Sequence, residues 1–101
     1  MSGYNPDMPV VLTPRHRAEL KARAHSLEPA VYVGKAGVQD SVVREIDRAL
    51  TAHELIKMKI DAERDEREAI AETLAERADA AIVQRVGKVV VLWRPKPSPA
   101  P

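Results

Sequence analysis

Val31-Tyr32-Val33-Gly34-Lys35-Ala36-Gly37-Val38 reads as a short β-branched strand, a Gly-x-x-Gly turn and the opening of an amphipathic helix. The two glycines allow φ values that residues with a Cβ resist, and they let a partner's backbone come close. A helix starting behind the loop offers unpaired N–H groups and the positive end of its dipole, so the stretch suits an anion, a phosphate above all. Taken alone, Gly34 and Gly37 serve equally well as a plain strand-to-helix turn.

On the N-terminal side, Thr13-Pro14 predicts an N-cap with proline at the first helical position. The helix is expected to reach about Ser26, with Leu20, Ala24 and Leu27 as its buried stripe. At 100° per residue, Arg17, Lys21 and His25 line up beside that stripe, while Arg15 and Arg23 lie elsewhere on the exposed surface. A charged helix face can be simple solvation or a phosphate-binding strip. Residues 1–11, with Gly3, Pro6 and Pro9, are expected to form a disordered arm.

On the C-terminal side, Val38, Val42, Ile46, Leu50 and His53 recur at helical spacing. Asp40 and Ser41 suit the helix start, and Asp40 can pair with Arg44. His53 reads as a core-edge or capping residue. Leu55–Ile60 alternates, with Ile56, Met58 and Ile60 inward and Leu55, Lys57 and Lys59 outward, as in a strand with one buried face. The two lysines fit solvation, protection of a sheet edge or an extension of a phosphate surface. Ile70, Leu74 and Ala78 mark a third helix, with Glu68, Glu72 and Glu76 on a solvated ridge. Ala81–Val86 and Val89–Arg94 flank Gly87-Lys88, which suits a type II′ hairpin. Val89–Trp93 has lost its alternation, so that strand is expected to be covered on both faces, with Trp93 in the core. Residues 95–101 are expected to form a Pro-rich disordered tail.

The resulting order is helix-strand-helix-strand-helix-strand-strand: an α+β domain in which helices pack on a four-stranded mixed sheet as an α/β sandwich. The 101 residues support one domain, expected over 12–94. With no cysteine, thiol catalysis and thiolate metal sites are excluded. His16, His25 and His53 lack a ligand spacing, so no metal is expected. With no Phe, two Tyr and one Trp, a multi-aromatic platform for stacking bases is not expected. No apolar run reaches the length of a membrane span, and a soluble, cytoplasmic protein is expected. The net charge is only +1, but residues 13–59 carry nine Lys/Arg against six Asp/Glu, residues 61–79 three against eight, and residues 80–101 four against none. Such a separation creates local fields that the net value hides.

Several of these residues form a pattern: Leu20, Ala24-His25, Leu27, Pro29 and Gly34-x-x-Gly37, then Ile46, Ala49-Leu50, His53-Glu54-Leu55-Ile56-Lys57, and Val86-Gly87 with Leu92-x-Arg94. With this pattern the chain resembles the CRM domain (chloroplast RNA splicing and ribosome maturation) in its stand-alone bacterial YhbY-type form. The resemblance implies a fold similar to the C-terminal domain of translation initiation factor 3. It also implies an RNA-binding protein, not an enzyme, that associates with large ribosomal subunit precursors and assists their assembly. Gly34, Lys35, Ala36 and Gly37 would contact the RNA backbone, as the corresponding loop does in KH domains, with Arg17, Lys21, His25 and Lys57 around them. No cofactor and no catalytic residue is implied, and a monomer is expected. The competing expectation is a protein-interaction module that docks on ribosomal proteins through the acidic third helix.

Overall fold

The computed structural model describes residues 12–96. The expected arm over 1–11 and the 97–101 portion of the expected tail lie outside the described residues. Seven elements follow in the expected order: α1 (Pro14–Ala24), β1 (Pro29–Val33), α2 (Asp40–His53), β2 (Leu55–Ile60), α3 (Arg64–Arg77), β3 (Ala81–Val86) and β4 (Val89–Trp93). They build a four-stranded mixed sheet of order β1-β2-β4-β3, in which β1 and β2 are parallel and the other pairs antiparallel.

Local chemistry sets the ends of the helices. The Thr13 hydroxyl accepts the His16 backbone N–H at 3.1 Å, and Pro14 supplies a preset φ. Glu54 ends α2 at φ 64°, a left-handed value that turns the chain into β2 within one residue, while its N–H still donates to the Leu50 carbonyl. After α3, Asp79 is left-handed at φ 54°. Its N–H donates to the Glu76 carbonyl, and the Ala80 N–H donates to the Ala75 carbonyl. That is a Schellman ending with aspartate where glycine is usual. In the hairpin, Gly87 has φ +57° and Lys88 does not share a positive φ, as a type II′ turn requires.

Strand alternation divides the core between the two faces of the sheet. Val31, Val33, Ile56, Met58, Ile60, Val90 and Leu92 pack against Ile46 and Leu50 of α2 and against Ala71, Leu74 and Ala75 of α3. On the other face, Leu55, Val83 and Val91 pack against Leu20 and Ala24 of α1, with Leu27 and Trp93 at the margin. Because both faces are used, β4 is buried at Val90, Val91 and Leu92 alike, as its lost alternation predicts. Trp93 stands on the α1 side in an edge-to-face contact with His16, ring centroids 4.6 Å apart.

The second layer corrects three expectations. The outward face of β2 is only partly solvent: Leu55 is buried beneath α1 and Lys57 is half-buried. Strand β2 is central, which rules out edge protection as the reason for its lysines. The buried stripe of α3 runs through Ala71, Leu74, Ala75 and Ala78, with Ile70 only partly buried, because small alanines let that helix sit close to the sheet.

Candidate nucleic-acid interface

Gly34–Gly37 forms a closed turn, with the Gly37 N–H donating to the Gly34 carbonyl at 3.0 Å. Only Gly37 has a left-handed φ, +73°, so it alone needs glycine for its backbone. Gly34 contributes open space, since a Cβ placed there meets nothing within 4 Å. Lys35 and Ala36 occupy the exposed tip.

The expected helix N-terminus behind the loop is not at hand. The N-cap of α2 is Gln39, whose side chain makes no capping bond, and Asp40 places a carboxylate in the first turn. Asp40 pairs with Arg77 of α3 at 2.8 Å rather than with Arg44. The Arg77 hydrogen bond and charge hold the Asp40 carboxyl below the usual carboxylate range. A carboxylate at the positive end of the dipole competes with any phosphate there, so an anion approaching the loop meets the loop's own amides and Lys35 rather than the helix dipole.

Along the first helix the expected strip splits. Arg17 Nη1 donates to the carbonyls of Ile82 (2.7 Å) and Val83 (2.8 Å), where the pairing of β3 with β4 slips by a residue. That guanidinium fastens α1 to a bulge and turns away from the rest of the strip. Lys21 and His25 keep their place, and the fold brings Lys57 to them. The three line a depression of ≈ 220 Å³ with Gln84, Val86 and Val89. Lys59 follows Lys57 on the same face, about 7 Å further along β2, and extends the cationic track toward the end of β1 that carries the Gly-x-x-Gly loop. Alternation alone places the two lysines on one face, so their pairing is legible in the sequence.

Cations stand unpaired on both sides of the sheet, since Arg44 and Arg48 of α2 make no ion pair among the described residues, but only on the α1 side do such cations gather on the sheet itself. Among the described residues, Lys21, Lys35, Lys57 and Lys59 make no ion pair. On the α2/α3 side, Arg85 binds Glu68 at 3.0 Å and Glu72 at 3.7 Å, and Arg94 binds Asp47 at 2.8 Å. Strand β3 carries Arg85 on the face packed by α3, so the acidic ridge lies across the sheet from Lys21 and Lys57, and two of its glutamates are already paired. The loop's other flank is mixed. It faces Asp61, Glu63 and Glu66 together with Arg67 and Lys88, and Lys88 pairs with Asp61 at 3.3 Å. An anion therefore meets the least opposing charge from the α1 side.

The family model described as the CRS1 / YhbY (CRM) domain matches residues 12–94. A protein of Pseudomonas aeruginosa named a probable RNA-binding protein is 36% identical over 91 residues, covering 89% of this chain and 88% of that one. A protein of Haemophilus influenzae named an RNA-binding protein is 39% identical over 85 residues, covering 83% and 86%. The solution structure of a hypothetical protein of Staphylococcus aureus superposes with a TM-score of 0.77 at 30% identity, covering 87% of this chain and 93% of that one.

Proposed function

This chain belongs to the CRS1/YhbY (CRM) family, and on that premise we propose that it binds RNA through the α1 face of its sheet and the Gly34–Gly37 loop. The carrying observation is the cluster of Lys21, Lys57 and Lys59, unpaired among the described residues, on a sheet face that one short helix covers only in part. Ammonium groups and backbone amides of this kind hold phosphates and do no covalent chemistry, so the proposed activity is binding alone. We further propose, on the family resemblance, that the bound RNA belongs to precursors of the large ribosomal subunit and that the protein assists their assembly. Sedimentation with those particles, abolished by ribonuclease, is the expected result. Sedimentation that survives ribonuclease would favour docking on proteins instead.

Gly34→Asp probes the loop with little risk to the fold, because the position is open and its φ is not left-handed. Gly37→Asp is a poorer probe, since a side chain at φ +73° brings about 1–2 kcal/mol of strain. A carboxylate at position 34 should lower RNA affinity about tenfold, equivalent to about 1.4 kcal/mol, with native circular dichroism. Fluorescence anisotropy at fixed salt reads this directly, and unchanged affinity would remove the loop from the interface.

A further inference from the structure

Helix α1 covers only one half of its sheet face. On the other half, the strand registers place Tyr32, Lys59, Val89 and Val86 in one row that crosses β1, β2, β4 and β3 in turn. Tyr32 is 65% exposed and Val86 58%, and these are the two large hydrophobic side chains that stand in solvent among the described residues. With strands about 4.8 Å apart, the row is about 14 Å long. Val31 and Val33 are buried on the opposite face and anchor β1, while Tyr32 between them stands exposed.

We infer that this row is a single-strand platform, on which one unpaired nucleobase stacks against Tyr32 while the flanking phosphates lie against Lys59 and Lys57. The inference rests on the RNA-binding reading above and adds to it the form of RNA that is recognised. Charge selects the occupant. A lysine stands in the middle of the row, Lys57 and Lys21 border it, and none of them is paired among the described residues. An apolar protein surface docked here would have to desolvate those ammonium groups, whereas a polyanion neutralises them. Stacking on tyrosine requires a base that has left its helix, because duplex RNA hides its ring faces. One ring falls short of the multi-aromatic platform that the composition argues against. It is enough for one base, and it sits two residues before the Gly-x-x-Gly loop, so a strand leaving Tyr32 reaches the loop amides next.

The test compares two labelled probes: a uridine oligomer of about twelve nucleotides, within the site sizes of single-strand binders, and a ribose-phosphate chain of equal length without bases. The intact protein should prefer the uridine oligomer. Tyr32→Ala should weaken that binding about 5- to 150-fold, leave the baseless chain unaffected and keep native circular dichroism. Tyr32→Phe, which keeps the ring, should retain the preference. If Lys57→Gln weakens both probes while Tyr32→Ala weakens neither, the RNA-binding reading stands and the stacking inference is overturned. If the intact protein binds neither probe, both fall. If Tyr32→Ala instead converts a dimer into a monomer in sedimentation equilibrium, the row is a self-interface and the inference is wrong.

Discussion

Arg94→Ala should destabilise the fold by about 3 kcal/mol, which for a domain of this size lowers Tm by roughly 10–20 °C. The side chain is only 12% exposed and its guanidinium joins three elements. Nη1 donates to the Asp47 carboxylate and to the Ala78 carbonyl, both at 2.8 Å, while Nη2 donates to the Asp47 carbonyl at 3.1 Å and the Thr51 hydroxyl at 3.0 Å. The Arg94 N–H also donates to the Glu54 carbonyl, at the left-handed residue that ends α2. Truncation keeps that backbone bond but leaves the acceptors of the guanidinium on Asp47, Thr51 and Ala78 short of a donor at the junction of α2, α3 and β4. The Asp47 carboxylate, 61% exposed, regains water, so the loss comes mainly from the carbonyls. Arg94→Lys cannot reproduce the fork and should recover less than half of the loss. Thermal unfolding followed by circular dichroism measures both. A Tm within about 3 °C of the parent would show that the fork is dispensable. RNA affinity measured well below the transition should not change in either variant, because these contacts lie on the α2/α3 side.

Arg94 also shows where sequence reading stops. The Leu92-x-Arg94 pattern was visible and carried part of the family resemblance, but its reason is a set of partners at sequence separations of 16 to 47 residues. Helical stripes, β-branched runs, the alternation of β2 and the Gly87-Lys88 turn together gave the seven elements and their order. It failed where a second layer intervenes. Leu55 fell on the polar face of its own strand and became core only when α1 closed over it. Arg17 fell within 40° of Lys21 on the helix wheel, yet the slipped register between Ile82 and Gln84 put two carbonyls within its reach. A bulge of that kind leaves no mark in the composition of β3. The loop followed the same rule. Its glycines were legible, but the helix dipole expected behind them is spent on Asp40, whose partner Arg77 lies in another helix.

A large loss of binding is expected when Lys21, Lys57 and Lys59 are changed together to glutamine. For single-stranded RNA each neutralised phosphate contributes about 0.7 to the log–log salt slope, so three lost contacts make the slope shallower by about 2. Extrapolated from 1 M, where the counterion term vanishes, that amounts to a loss of about 100-fold at 0.1 M salt. The parent, with Lys35 included, should show a slope near −3. Because all three lysines are at least partly exposed, the variant should fold normally, which separates lost contacts from lost structure. A parent slope near zero would mean that phosphates do not lead the binding. The triple change of Glu68, Glu72 and Glu76 to glutamine should raise affinity only weakly, since those carboxylates act from across the sheet through a term that salt screens.

On the proposed function, RNA lies on the α1 face and the Gly34–Gly37 loop, and the acidic helix faces away. Titrating a uridine oligomer into isotope-labelled protein and following each backbone amide by NMR tests that claim directly. Shifts are expected to cluster at Lys21–His25, Tyr32–Val38 and Lys57–Lys59, with the amides of α3 from Glu68 to Arg77 unmoved. Shifts concentrated along α3, with Tyr32–Val38 and Lys57–Lys59 silent, would contradict it.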